Sequence, residues 1–481
     1  MKSSMQYYIL VIITVGIYFF ASKLIFDKVN ETSQVVVDEL FHIPQGKSFC
    51  EGNFSYWDPK ITTLPGLHLT STLFVSYFFA CNTYNLRFVN LVASCFNLIL
   101  FASILKFIYG NYNESQFKIV LQALSLALLP PLYFFSHVYY TDTLSLLFLL
   151  LFSRVCFANK GKWLILLFGN LSFGMRQTNI VWVAMVFGHK LLDLLVRSSR
   201  VYGNRYLTKT LLSKRSLISN DIDSSKLKRY YTVMDVVVAL KFHLTTCFRA
   251  AFKLVQLPDL YVILQLKSVL LSFMLFLYVN GSIVIGDKKA HVATIHIPQL
   301  LYFLLFYGVF GLPYILAKFI STVKLILNNK LNVILLSAVF AIAVHYNTIV
   351  HPYLLADNRH YTFYVWNRWF GKHDFATYAT IPVYIFLLFS LYDNLKDQNC
   401  ITFLLPYTVC LFFALALQRL VEIRYFLIPY IILRLRFVRP SVYVVLLEFL
   451  WYVAINAVTF YIFFTKEIKW DDFGEVQRII W

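Results

Sequence analysis

Residues 7–26, YYILVIITVGIYFFASKLIF, hold one charge, Lys23, in twenty positions. Twelve more apolar runs follow near 67–81, 87–109, 117–136, 142–158, 163–188, 260–285, 297–320, 331–350, 376–392, 401–417, 425–433 and 442–464. In hydrocarbon every backbone N–H and C=O must find its partner inside the protein, so runs of this kind become membrane-crossing helices. Several fall short of the ~20 residues that a straight span needs. Stretch 163–188 is broken by Arg176-Gln177-Thr178-Asn179, the pattern of two half-helices meeting at a polar point. The expected architecture is an all-α polytopic membrane protein with about 11–14 transmembrane helices. Hydrophobic residues make up 59% of the chain and charged residues 14%, against roughly 45–50% and 25% in soluble domains. That composition leaves no stretch for a soluble domain.

The net charge of +19 is concentrated. Segment 189–230 carries ten Lys/Arg (190, 197, 200, 205, 209, 214, 215, 226, 228 and 229) against three Asp. The positive-inside rule places a basic loop, 189–257, in the cytoplasm. It has no recognisable nucleic-acid-binding fold, so nucleic acid is not an expected partner. Segments 28–66, 280–296 and 351–375 then face the opposite side, and Asn30-Glu31-Thr32, Asn53-Phe54-Ser55 and Asn280-Gly281-Ser282 are glycosylation sequons within that set. Whether 163–188 crosses once or folds back leaves the side of loop 110–116 open. The seven cysteines form no CxxC, and Cys50 alone falls in a non-cytoplasmic loop, so no structural disulfide is expected. Residues 1–26 read as an uncleaved anchor. Asp221-Ile222-Asp223 has the D-x-D form of a metal-held nucleotide sugar but sits in the basic loop with no strand before it, a chance match.

Against this apolar background the polar islands stand out. The first begins with Asp38-Glu39, just beyond the first span, with His42 four residues after Asp38 and so on one face of a helix. Trp57, Asp58 and Leu64-Pro65-Gly66 complete it. Adjacent carboxylates at a membrane surface suit acid/base chemistry; a solvated loop with scattered charge is the alternative. A second island, 351–368, contains Asp357, Arg359, His360, Tyr361 and Tyr364. Arginine grips phosphate through a planar fork, and aromatic residues can stack on a sugar; an aromatic belt with snorkelling cations is the competing reading. Asp287 and His296 lie in a third island whose His291 and His296, five apart, fit no usual metal spacing. Arg176 and the pair Glu422/Arg424 form two more, a buried cation and a possible structural ion pair. Asp142 is a lone acid.

The strings Asp38-Glu39-Leu40-Phe41-His42-Ile43-Pro44-Gln45, Trp57 to Leu67, Arg176 to Asn179, Gly286-Asp287-Lys288, Ala293 to His296 and Ala356-Asp357-Asn358-Arg359-His360-Tyr361-Thr362-Phe363-Tyr364 resemble one family in order. It is the dolichyl-phosphate-glucose-dependent α-1,2-glucosyltransferase of the endoplasmic reticulum, which completes the lipid-linked oligosaccharide for N-glycosylation. The resemblance implies a C-type glycosyltransferase (GT-C) fold, a single transmembrane catalytic domain over 1–481 in the endoplasmic reticulum membrane, a lumenal catalytic loop at 28–66 and a lumenal donor-binding loop at 351–375. It implies dolichyl phosphate glucose as donor, the lipid-linked oligosaccharide as acceptor and membrane lipid as surroundings, with no cofactor and no metal required. Inversion calls for one general base, Asp38 with Glu39 as second choice. Arg359, His360, Tyr361, Tyr364 and Arg176 would hold the donor and its phosphate. His42, Trp57, Asp58, Asp142, Asp287, His296, Glu422 and Arg424 would support the acceptor or the loops. Another dolichyl-phosphate-sugar transferase, or a lipid scramblase or transporter, are the competing readings.

Overall fold

The computed structural model describes residues 2–109, 114–158, 163–208, 232–245, 257–288, 294–373, 375–396, 400–437, 439–470 and 476–481. Eight of its helices are long and apolar enough to cross a membrane, and five shorter apolar helices of 10–17 residues join them. The chain is an all-α polytopic membrane protein.

Helix α1 (Lys2–Thr32) runs toward one end of the bundle, where α2 (Glu39–Cys50) and α3 (Gly66–Phe78) pack on each other. From there α4 (Thr83–Ile108) leads away. The return is made by α5 (Gln116–Ala127) and α6 (Pro130–Phe135), separated at Leu129 because Pro130 and Pro131 cannot continue the α5 ladder but suit the first turn of a new helix. Helix α7 (Thr141–Ala158) departs, α8 (Leu164–Met175) comes back, and α9 (Asn179–Thr208) departs again. Arg176, capping α8, reaches Asp142 in the first turn of α7, so the chain turns at 176–178; α8, at 12 residues, is as short as a half-helix, but α9 runs for 30 and its Asn179–Ser199 part is long and apolar enough to cross a membrane by itself. Tyr109, after α4, and Glu114, ahead of α5, accordingly lie at the far end.

Helix α9 continues unbroken through Lys190, Arg197 and Ser199, with an Asp193–Arg197 pair one turn apart at 3.3 Å. The stretch expected to open a basic loop is thus helical to Thr208: no proline interrupts it, and the i,i+4 pair favours its continuation. Helix α10 (Val233–Thr245) lies along it, with His243 Nε2 2.9 Å from Ser198 Oγ. Asp221-Ile222-Asp223 and His291 lie outside the described residues.

In the second half, α11 (Leu257–Asn280) approaches the first end, α12 (Pro298–Phe310), α13 (Leu312–Ala317) and α14 (Phe319–Asn328) lead away, and α15 (Lys330–Asn347) returns. Short helices α16 (Pro352–Ala356), α17 (Tyr361–Val365) and α18 (Ala376–Ala379) cover that end before α19 (Ile381–Leu395) and α20 (Ile401–Leu415) go out and back. A 3-10 turn over Ile423–Phe426, α21 (Leu427–Arg434) and α22 (Val442–Thr465) complete the bundle. The polar islands therefore gather at one end.

Two expectations from the sequence are corrected. Run 67–81 does not cross: α3, at 13 residues, spans about 20 Å, packs on α2 and turns straight into α4. Cys81 thereby stays on the same side as Cys50, and the two form a disulfide. Closing a chain segment of 31 residues typically stabilises a fold by about 2–4 kcal/mol. Cys50→Ser should lower the thermal unfolding temperature in detergent and leave Cys81 open to alkylation. An unchanged transition, with Cys81 already reactive in the parent, would remove the cross-link.

Candidate active site

The first turn of α2 does two different things with two adjacent carboxylates. Glu39 is fully buried. Its Oε1 accepts from Arg87 Nε at 2.8 Å and from the Tyr139 amide at 2.6 Å, and its Oε2 accepts from Arg87 Nη2 and from the Val36 amide at 2.9 Å. Arg87, 1% exposed, also donates to Asn30 Oδ1 and to the Ser33 and Gln34 carbonyls, all at 3.0 Å. Such a pair is tolerable in a dry interior because its lone pairs and N–H groups are all used; removing either partner strands a charge. Arg87 went unnoticed in the sequence. The signal was present, a lone cation at the head of an apolar run, but its partner lies 48 residues away.

Asp38 faces the other way, with its side chain 35% exposed. Its Oδ2 lies 3.0 Å from Arg424 Nη1. Arg424 is held by Glu422 Oε2, at 3.0 Å from Nε and 2.8 Å from Nη2, and comes within 4.0 Å of Asp142 Oδ2. Asp142 Oδ1 accepts from Arg176 Nη1 at 2.5 Å, while its Oδ2, itself buried, has no hydrogen-bond donor among the described residues. The rings of Tyr140 and Tyr425 lie beneath the Arg424 and Arg176 guanidinium groups, at 5.4 and 5.9 Å. Tyr140 is fixed in turn by Asn90, whose Nδ2 donates to the Val138 and Tyr140 carbonyls. Burial alone would raise the Asp38 carboxyl, but Arg424, with His42 and His360, holds it below the ordinary carboxylate range. Asp38 is thus ionised and accessible; Glu39 is paired with Arg87 and sealed.

His42 sits behind Asp38, its Nδ1 3.4 Å from Nε2 of His68. Trp57 closes on His68 at 5.7 Å between ring centres. The Asp58 amide donates to Gln45 Oε1 at 2.8 Å, folding 56–61 over α2. Asp287 reaches this apron through its amide, 2.8 Å from the Pro59 carbonyl, and Gln177 Nε2 donates to Thr62 at 2.9 Å. Gly286 permits that approach, since a Cβ there would come within 2.1 Å of the Pro59 oxygen. His296 is farther back: its amide donates to Ala416 at 2.7 Å, and Gln299 holds the Gln418 and Leu420 carbonyls that lead to Glu422.

The 351–368 island joins from the side. His360 is among the groups that hold the Asp38 carboxyl below its ordinary range. Arg359, however, turns its fork on Asp357, with Nε and Nη2 2.9 and 2.8 Å from the two carboxylate oxygens and Nη1 3.2 Å from Gln477. Segment 476–481 runs beside it: Ile480 bonds the backbone of Arg359 and Tyr361, and the Trp481 ring packs on Tyr361 at 4.8 Å, tilted by 49°. Tyr364 meets Arg368 instead. The structure therefore brings together Asp38, His42, Asp142, Arg176, His360, Glu422 and Arg424; it sets Trp57, Asp58, Asp287 and His296 in the supporting loops and leaves Tyr364 apart. Among the described residues no trio of His, Cys, Asp and Glu forms a metal-binding group. An exposed carboxylate beside two guanidinium groups suits transfer of a group from a phosphate to a hydroxyl.

Residues 32–435 match the DIE2/ALG10 family. A Drosophila melanogaster protein named Dol-P-Glc:Glc(2)Man(9)GlcNAc(2)-PP-Dol alpha-1,2-glucosyltransferase is 39% identical over 472 residues, covering 98% of each chain. Proteins of the same name from Rattus norvegicus and Arabidopsis thaliana are 35% and 32% identical, covering 96% and 92% of this chain and 97% and 94% of their own. No solved structure matches the chain.

Burial pushes the His42 ring down to about 4, against the pull of Asp38, and the His68 ring to about 3. Free histidine titrates near ~6.5, so the unfolded chain binds protons that the fold refuses. The stability these neutral rings carry is complete above that value and is lost as pH falls toward the folded values. At pH 5 each ring costs about 2 kcal/mol. The unfolding temperature should drop between pH 7 and pH 5, and the double variant His42→Gln/His68→Gln should flatten that slope. An equally steep slope in the variant would trace the sensitivity to other groups.

Proposed function

The chain belongs to the DIE2/ALG10 family, and from that membership we propose that it transfers glucose from dolichyl phosphate glucose to the terminal glucose of the diglucosylated lipid-linked oligosaccharide. The new bond is α-1,2, as the names of the relatives state for those proteins. A β-glucosyl phosphate giving an α-glucoside requires one in-line displacement with inversion. The acceptor 2-hydroxyl attacks the anomeric carbon, its proton passes to the Asp38 carboxylate, and the C1–O bond breaks to release dolichyl phosphate.

The observation that carries this reading is the contact between Asp38 and Arg424. Dolichyl phosphate needs charge stabilisation rather than a proton, and Arg424 is the nearest guanidinium to the base. Donor phosphate competing for Arg424 frees Asp38 from the cation that depresses it, so donor binding strengthens the base at the moment it is required. Arg176 supplies the second positive charge and His360 a donor from the other side. Arg359, already turned on Asp357, supports His360 from behind. An apolar groove of about 260 Å³ runs from Tyr361 along α22, lined by Trp451, Ile455, Val458, Ile462 and Trp481. It is smaller than the ~300–1,000 Å³ of sites that enclose a whole ligand, and it suits a stretch of isoprenoid chain.

The gathered islands face the lumen of the endoplasmic reticulum in this reading. The Cys50–Cys81 disulfide belongs to an oxidising compartment, and the basic residues of α9 lie toward the opposite end.

Single-turnover transfer at saturating donor and acceptor should fall about 10²–10⁴-fold in Asp38→Asn, the usual worth of a general base. Arg424→Lys should reduce kcat/KM for the donor more than Arg359→Lys, because a point charge cannot reproduce a fork. Near-normal turnover in Asp38→Asn would take the base elsewhere, and a larger loss in Arg359→Lys would return the phosphate to that residue. Orientation has its own test. Asn53 is exposed, whereas Asn30 donates to Phe26 and accepts from Arg87, and Asn280 donates to Ser282 and Val284. Endoglycosidase treatment should release a single glycan, lost in Asn53→Gln; accessibility of residues 28–66 to a cytosolic protease would reverse the orientation.

A further inference from the structure

Val37, immediately before Asp38, holds φ at +40°. A β-branched residue pays a steric penalty in that region which glycine escapes, and such strain persists where the surroundings over-determine it. Here they do. The Val36 amide donates to Glu39 Oε2 at 2.9 Å, and the Val36 carbonyl accepts from Tyr140 Oη at 3.2 Å and from the Glu39 amide at 2.9 Å. On the other side of Val37, the Asp38 amide donates to the same Tyr140 Oη at 2.9 Å. One phenol thus bridges the two peptides that flank the strained residue. The carboxylate that bonds Val36 is locked to Arg87, and the tyrosine is locked by Asn90. All of this closes around a residue with an apolar side chain, one position from the carboxylate that meets Arg424.

We infer that Val37 is the strained link of a clamp, with Tyr140 and Glu39 as positioning residues, that fixes the direction of the Asp38 carboxylate. The inference rests on Asp38 being the base. Relaxing φ at Val37 rotates the peptide that carries Asp38, and a displacement of about 1 Å at a reacting group can cost as much as 10²-fold. Neither Val37, Glu39 nor Tyr140 touches the reacting atoms in this scheme.

Val37→Gly separates positioning from stability. Glycine accepts the native φ without strain, so the fold keeps its hydrogen bonds, but the clamp loses the stiffness that a branched side chain gives the link. Purified variants are assayed with dolichyl phosphate glucose and a diglucosylated lipid-linked acceptor, with thermal unfolding followed in parallel. Val37→Gly should lower kcat about tenfold to a hundredfold, leave both KM values within about twofold and change the unfolding temperature little, since strain relief offsets the lost packing of the side chain and the added freedom of the unfolded chain. Tyr140→Phe should show the same split of kcat against KM, and Val37→Asn, which tolerates positive φ yet keeps a side chain, should recover part of the rate. A normal kcat in Val37→Gly, or a loss that tracks a lower unfolding temperature, overturns the clamp. Failure of the underlying reading looks different: Asp38→Asn is then as active as the parent, whatever Val37→Gly does.

Discussion

The buried ion pair between Glu39 and Arg87 is the interaction on which the rest of this end of the molecule depends. It ties the end of α1, the start of α2, the start of α4 and the 138–140 segment before α7 to one point, through seven hydrogen bonds from two side chains. Desolvating two charges costs several kcal/mol each, and only complete hydrogen bonding offsets that. A partial version of this network would be worse than an apolar contact. That all-or-none character suits an anchor. It explains why a glutamate fully out of solvent stands next to an aspartate that is one third exposed.

Above the anchor, opposite charges are laid out in mutual contact rather than in isolation. Asp38 and Glu422 share Arg424, Asp142 holds Arg176, and Asp357 holds Arg359. Near a membrane each cation left without a partner would be costly, so these contacts stabilise the ligand-free site. They also set its chemistry. Three carboxylates around two guanidinium groups leave Arg424 divided among Asp38, Glu422 and, at longer range, Asp142. In the proposed reaction an incoming phosphate exchanges with Asp38, which holds Arg424 by a single contact at 3.0 Å, while Glu422 keeps its two N–H bonds. Arg359 differs, having one carboxylate in a bidentate grip, and exchange there means giving up two parallel bonds at once.

Much of this was legible in the sequence. The apolar runs mark the helices because hydrocarbon admits few alternatives, and Arg176 to Asn179 marks the break between α8 and α9 because a central cation must turn toward protein. Asp38, His42, Asp142, Arg176, Glu422 and Arg424 stood out as polar residues in an apolar chain, although nothing local said that they meet. Other features were hidden for physical reasons. Run 67–81 is as apolar as a span but stops at 13 helical residues, so its cysteine was assigned to the wrong surroundings. Arg87 looked like the edge of a run because its partner lies 48 positions earlier. Tyr140 carried no signal of its own, one of 33 tyrosines, yet its hydroxyl bridges two peptides. The strain at Val37 has no signature at all, since valine is the last residue a pattern would choose for positive φ.

The two neighbouring carboxylates show how one residue type is divided between structure and chemistry. Adjacent positions at the start of a helix point about 100° apart, so burying one exposes its neighbour to whatever the bundle end contains. Glu39 has the extra methylene needed to reach Arg87 across the α2–α4 contact, while Asp38, shorter, keeps its charge close to a rigid backbone. A carboxylate used as a base benefits from a short lever, because each additional rotatable bond adds orientations that must be lost before reaction. Exchange of the two residues would put the long arm at the site and the short one at the anchor, satisfying neither. The order aspartate then glutamate is therefore a consequence of the distances this fold imposes.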